Sequence, residues 1–228
     1  MNKKIDLLIT TNGRKQYIVP TVDSWKNFIN SNVNKKMIID DSGNQEYRQW
    51  LKETFPDFEI IGLGEKNMGF SYLLKTWTTS LEFESEYMLI LEDDFLLLED
   101  IDLQNILKVL DTNTNLLEMT LKRQAWSGEE IAAGGMIERI YKEEKFIQHD
   151  GWFTQKEFFT TNPSFININR LREYAKQIYQ PDELISEGEF GSRIFKNNPD
   201  VLCAFWGNVF DPYKVEHIGH IRTGTYQW

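Results

Sequence analysis

A chain of 228 residues with a formal net charge of −10, 41% hydrophobic and 26% charged residues has the make-up of a folded globular protein, which excludes disordered and fibrous classes. One domain is the default at this length, with 15 Phe, 9 Tyr and 7 Trp to fill a single core. No stretch nears the roughly 18 apolar residues of a membrane helix, the start runs from Met1 into Asp6 without a signal-like apolar region, and the lone Cys203 excludes an internal disulfide, so a cytoplasmic protein with a buried thiol is expected.

Ile5 to Thr10 reads as a first strand, stopped at Thr11-Asn12-Gly13. Val22, Trp25, Phe28 and Ile29 share one face of a helix predicted from about Pro20, where proline is tolerated in the first turn. Met37 to Asp40 is a second strand ending in the turn signal Asp40-Asp41-Ser42-Gly43, and a helix follows from Gln45 to Phe55. A third strand, Glu59 to Leu63, leads through a glycine-containing loop to a helix over Phe70 to Leu81, and a fourth apolar run, Tyr87 to Leu91, meets Glu92-Asp93-Asp94. This alternation of short β-branched runs with amphipathic ones predicts βαβ units and an α/β fold with a parallel sheet. Past Asp111 the pieces shorten: a hairpin-like stretch at Tyr141 to Lys145, helices over Arg170 to Tyr179 and Glu189 to Lys196, and a buried strand at Val201 to Trp206.

Ligands of open parallel sheets sit beyond the carboxyl ends of the strands. The polar residues there are Thr10, Asn12 and Arg14, then Asp40 and Asp41, then Lys66, Asn67 and Gly69, then the acid triplet, and these clusters are expected to converge. Between Glu82 and Asp102 lie nine acids and no Lys or Arg, so the rest of the chain is nearly neutral. That leaves no general basic surface for nucleic acid, Lys122-Arg123 being at most a local patch. Three consecutive carboxylates between apolar runs repel one another unless a cation joins them, and Mg²⁺ or Mn²⁺ takes hard oxygen ligands while bridging to phosphates. The alternative is a solvated turn whose acids cap the next helix.

In order and spacing, Thr10-Thr11-Asn12-Gly13-Arg14, Ile38-Ile39-Asp40-Asp41-Ser42, Lys66-Asn67-Met68-Gly69-Phe70 and Leu91-Glu92-Asp93-Asp94 resemble the nucleotide-sugar half of GT-A fold glycosyltransferases of the family 2 type. The resemblance implies a Rossmann-like, mixed but mostly parallel sheet flanked by helices in a single domain. Residues 1–110 would bind the nucleotide sugar and 111–228 the acceptor. It also implies a UDP-sugar donor, Mn²⁺ or Mg²⁺ as cofactor, and a glycan or other hydroxyl-bearing acceptor, with a nucleic acid disfavoured by the charge balance. Carried over by position, Thr10, Asn12, Arg14, Asp40 and Asp41 become nucleotide contacts, and Asn67 and Gly69 shape the pocket. Glu92 and Asp93 share ribose or metal duties and Asp94 is the direct metal ligand, in a triplet that reads Glu-Asp-Asp where the family's DxD motif reads Asp-x-Asp.

The second half carries weaker matches. Ser186-Glu187-Gly188-Glu189 to Arg193 resembles the family's acidic pair leading into a helix, which makes Glu187 the expected catalytic base, favouring inversion, and Glu189 the second choice; an acidic first turn complementing a helix dipole explains the same spacing. His217-Ile218-Gly219-His220 resembles a late histidine–glycine segment supplying a third metal ligand, His217 ranking above His220, with Arg222 as a diphosphate contact. A surface histidine pair is the plain alternative. Trp152-Phe153 and Thr160 to Phe165 resemble the region that binds sugar and acceptor, and Trp152 is a candidate acceptor contact, although aromatics at this density are ordinarily core. Neither G-x-G-x-x-G, G-x-x-x-x-G-K-[ST] nor G-x-S-x-G occurs. Two rivals stand: a sugar-phosphate nucleotidyltransferase on the same sheet, and a carbohydrate-binding module without turnover.

Overall fold

The computed structural model describes residues 2–126, 128–178 and 183–219. Its first half contains strands β1 (Ile5–Thr11), β2 (Val33–Asp40), β3 (Glu59–Gly62) and β4 (Tyr87–Glu92), with helices α1 (Lys15–Asn32), α2 (Gln45–Thr54) and α3 (Phe70–Lys75) between them. The last of these runs on as a π-helical turn, Thr76–Ser80. Then come β5 (Phe95–Leu97), α4 (Leu103–Thr112), β6 (Leu116–Leu121), α5 (Gly128–Ala133), α6 (Met136–Lys142), β7 (Phe146–Gln148) and β8 (Trp152–Gln155). The chain continues through β9 (Ser164–Asn167), α7 (Ile168–Ile178), α8 (Glu187–Asn197), β10 (Leu202–Trp206) and β11 (Val215–His217).

Nine strands form one sheet in the order β3-β2-β1-β4-β9-β6-β10-β8-β7, and β11 pairs with β5 in a two-stranded ribbon. The pairings make β9 and β8 run against the other seven, so the sheet is mixed and mostly parallel, with helices on both faces. Strand β9 lies between β4 and β6 and bonds to both, which joins the two halves of the chain.

The central strands read as continuous apolar runs because both of their faces are covered. Along β1, Ile5, Leu7 and Ile9 pack with Trp25 and Phe28 of α1 and Leu107 of α4. Leu8 points the other way, into a core shared with Leu74 of α3, Leu171 of α7 and Phe190 of α8. The period-two alternation of strand side chains thus feeds two cores.

Several boundaries differ from the sequence pattern, among them the start of β2 at Val33 and not Met37. Helix α1 starts at Lys15, with Pro20 inside it, because Arg14 O accepts from Tyr17 N and Ile18 N and Ile18 is fully buried. Helix α8 starts at Glu187, capped by the Ser186 side chain, which accepts from Glu189 N at 3.1 Å. The stretch from Tyr141 to Lys145 is the end of α6 and a turn through Glu144 at φ 55°, not a hairpin; α4 and β6 form where the pattern gave no element.

Candidate functional site

A cavity of about 590 Å³ opens beyond the carboxyl ends of β1 and β4. Thr10, Asn12, Arg14, Asp41, Asn67, Glu92 and Asp94 all line it, so residues from all four strand-end clusters meet there. Backbone bonds carry the strand register past the strand ends: Asp41 N donates to Thr11 O and Asp93 N to Thr10 O, at 2.9 and 3.0 Å. The Asp41 carboxylate accepts from Met68 N at 2.6 Å and Gly69 N at 2.9 Å, which ties the Asn67–Gly69 loop to β2. Burial pushes the Asp41 carboxyl up, and the two amides partly offset it. Gly69, at φ +76°, turns the chain into α3 in a conformation that side chains disfavour. Asp40, fully buried, is engaged elsewhere: Arg48 Nε donates to it at 2.7 Å and Ser42 N at 3.0 Å, and it does not line the cavity.

The three adjacent acids go to three sets of partners. Asp93, fully buried, accepts from Thr11 Oγ1 at 2.5 Å and pairs with Arg14; burial raises its carboxyl to about 6 against the pull of that guanidinium. Its backbone carbonyl accepts from Thr21 of α1 at 2.9 Å, an anchor for the early turn of that helix. Asp94 accepts from Arg14 Nη1 at 2.6 Å and stands 3.2 Å from His217 Nε2. Burial works to raise the Asp94 carboxyl, but His217 and Arg14 together outweigh it and hold the group below the usual aspartate range. Glu92 accepts from Thr161 Oγ1 at 2.9 Å, and burial beside Asp94 and Glu187 pushes it upward.

His217 ends β11, opposite Phe95 in the β5 ribbon, and its ring stacks on Phe95 at 4.6 Å and packs against Trp126 at 4.6 Å. A Cβ on Gly219 would stand 2.1 Å from Asp94 Oδ2, so only glycine lets this segment close on the acid. Among the described residues, Asp94 Oδ1 and His217 Nδ1 are buried without a hydrogen-bond partner. An unsatisfied carboxylate oxygen beside an imidazole fits an open divalent site, in which two protein ligands leave positions for water and phosphate oxygens. Among the described residues no three His, Cys, Asp or Glu side chains cluster to make a closed one. His220 and Arg222 lie outside the described residues.

Also in the cavity lining, Glu187 opens α8 and accepts from Thr161 N; burial pushes its carboxyl up. Helix α8 can approach this closely because a Cβ on Gly191, one turn on, would lie 2.9 Å from Phe159. One residue before Thr161, Thr160 N donates to Glu118 at 3.2 Å, and burial drives both Glu118 and the adjacent Cys203 thiol well up. Glu189 lies outside the cavity lining, exposed and paired with Arg193 at 2.5 Å. Trp152 is buried in β8 and stacked on His149 at 3.9 Å, outside the lining, as a core aromatic. The cavity wall is completed by Trp126, Phe158 and Arg123, the last paired with Glu130 at 2.7 Å. Thr161 falls within the Thr160 to Phe165 stretch that the sequence singles out, whereas Trp126 carries no local sequence signal and only the fold brings it to His217.

No protein-family model and no curated protein matches the chain. Among solved structures, GalNAc-T7 with UDP, GalNAc and Mn²⁺ matches over 95% of this chain at TM-score 0.59 and 8% identity. S. aureus TarS 1–349 with UDP-GlcNAc matches over 97% at TM-score 0.54 and 16% identity, and the same protein with UDP over 93% at 0.54 and 14%. The chain spans 43% of the GalNAc-T7 chain and 60% of the TarS chain. The likeness is one of fold: the chain has the GT-A-like fold of nucleotide-sugar transferases. Among the described residues no helix is long and apolar enough to cross a membrane.

Proposed function

We propose that the chain is a divalent-metal-dependent glycosyltransferase that moves a sugar from a nucleoside diphosphate, a UDP-sugar, to an acceptor hydroxyl with inversion. The observation that carries this reading is the meeting of Asp94, His217 and Arg14 in the lining of a cavity that Glu187 also lines. The fold likeness to transferases solved with UDP, UDP-GlcNAc and Mn²⁺ supports the donor class.

In this reading residues 1–110 hold the donor and the remainder the acceptor. Asp94 and His217 hold the ion, with Arg14 beside them to meet diphosphate oxygens. When bound, the ion neutralises the diphosphate leaving group and the charge that develops as the sugar departs. Asp41 braces the Asn67–Gly69 loop against the nucleotide. Glu187, kept more basic by burial, takes the acceptor proton, a role that favours inversion at the sugar carbon.

The test is thermal stability against UDP, GDP, dTDP and CDP, each with and without Mn²⁺, in wild type and Asp94→Asn. A ligand at a hundred times its Kd adds about 2.7 kcal/mol, a shift of a few degrees in a domain of this size. Stabilisation by one nucleotide that needs both Mn²⁺ and Asp94 is expected. A nucleoside triphosphate that stabilises and releases pyrophosphate with a sugar phosphate would replace this reading with a nucleotidyltransferase.

A further inference from the structure

The segment that follows β6 is zipped to the segment that carries His217. Lys122 O accepts from Lys214 N at 2.8 Å and from Val215 N at 3.2 Å, and Trp126 Nε1 donates to Gly219 O at 2.7 Å. Midway between them, Gln124 makes two bonds to one residue: its Nε2 donates to His217 O at 2.8 Å and its Oε1 accepts from His217 N at 3.0 Å. Every second residue from 122 to 126 thus meets the run from 214 to 219, the periodicity of an extended chain. A planar side-chain amide that bonds both backbone groups of one residue fixes where that residue's backbone lies. The imidazole is then clamped between Phe95 and Trp126, with Nε2 at 3.2 Å from Asp94.

We infer that Gln124 is a positioning residue for the divalent site: by gripping the His217 backbone at both its N–H and its C=O it holds the imidazole against Asp94 and sets the affinity for the ion. The inference rests on the metal reading of Asp94 and His217 given above. Gln124 does not line the cavity, so it acts through His217 and touches no substrate. The geometry separates its role from that of a general loop brace, since Lys122 and Trp126 hold the flanks of the same segment independently. Partners that orient a metal ligand typically govern metal affinity by 10- to 100-fold.

The experiment is Mn²⁺ titration of the whole chain, free Mn²⁺ being read by its electron paramagnetic resonance signal. Wild type, Gln124→Met, Gln124→Glu and Asp94→Asn are compared, each with a metal-free melting curve. Gln124→Met keeps the length of the side chain and removes both bonds; its Kd for Mn²⁺ is expected to rise roughly tenfold or more, with a metal-free melting temperature within a few degrees of wild type. Gln124→Glu keeps the acceptor for His217 N and loses the donor to His217 O, so its Kd falls between the two. If Gln124→Met does not fold, the Gln124→Glu titration decides the inference in its place. Wild-type affinity in both Gln124 variants, with loss in Asp94→Asn, overturns the inference and leaves the metal reading standing. Mn²⁺ uptake that Asp94→Asn does not alter, or no uptake by wild type, brings down the metal reading and this inference with it.

Discussion

The two acidic walls of the cavity are built on opposite principles. On one wall Asp94, with Asp93 buried behind it, faces positive or protonatable partners: Arg14 pairs with both acids, and His217 stands against Asp94. On the other, Glu92 and Glu187, with Glu118 buried outside the lining, are held by the hydroxyl and amides of Thr160 and Thr161, neutral groups that satisfy oxygens without cancelling charge. Arg14 and His217 keep Asp94 ionised although burial raises its neighbour Asp93, whereas on the second wall burial, which the Thr160 and Thr161 bonds offset only in part, pushes all three glutamates towards the protonated form. Environments that drive neighbouring carboxyls apart in this way divide labour between them, one group standing ready for a cation and another for a proton. The division explains how five acids coexist around one site.

Removing the cation from the first wall is the harshest way to break the contrast. Arg14→Met leaves Asp93 and Asp94 facing each other with only His217 and the Thr11 hydroxyl for relief. Truncating one partner of a buried pair ordinarily costs about 3–5 kcal/mol, and the Arg14 side chain is only 14% exposed, so a loss at the lower end of that range is expected in metal-free protein. Chemical unfolding with and without Mn²⁺ measures it, and the ion should restore part of the loss. A variant as stable as wild type would show that the first wall is not held by charge compensation.

The proton side is probed by Glu187→Gln, which keeps the acceptor for Thr161 N and abolishes basicity. A drop in transfer of roughly 10²-fold is expected, with the metal-dependent stabilisation by nucleotide unchanged, because general-base contributions are of that order and Glu187 does not touch the donor-side acids through a bond. Equal activity in wild type and Glu187→Gln would move the base elsewhere, and a retained configuration in the product would remove the role altogether.

How much of this contrast the sequence carried follows from the range of the interactions. Parallel strands covered on both faces announce themselves locally, as Ile5 to Thr10 and Tyr87 to Leu91 do, and the polar residues at their ends are marked by position alone. The helix-start signal at Pro20 misleads because the first turn forms earlier, on the Arg14 carbonyl that accepts from Tyr17 N and Ile18 N, with Ile18 buried in the core. The order of duties within Glu92-Asp93-Asp94 is not legible, since partners far along the chain set it. Arg14 lies 79 and 80 positions before Asp93 and Asp94, Thr161 lies 69 after Glu92, and His217, the partner of Asp94, is farther still. Nor does Glu118 stand out: within Leu-Leu-Glu-Met-Thr-Leu a single acid interrupts an apolar run without saying that it lies wholly buried beside Cys203. The antiparallel entry of β9 between β4 and β6, which brings Thr160 and Thr161 to the acids, is topology and has no local signature.

The finest test of the contrast is Glu118, buried outside the lining and joined to the second wall through Thr160 N, where among the described residues no cation is paired with it and one oxygen, Oε2, has no hydrogen-bond partner. Burial raises its carboxyl well above the ordinary 4.5, so the folded chain holds that proton more tightly than the unfolded chain does. Its stability contribution is therefore fully present below about 4.5, where both states are protonated, and is lost progressively as pH climbs from there towards the folded value. Glutamine at this position can still accept from Thr160 N but cannot ionise, so Glu118→Gln should match wild type in stability at acid pH and exceed it at neutral pH. The gap should widen by about 1.4 kcal/mol per pH unit within that window and then level off. Urea unfolding of both proteins at intervals between about pH 4.5 and 8 measures the divergence. Two stability curves that run parallel would mean that Glu118 finds a charge partner in the folded state, and the second wall would then be compensated like the first.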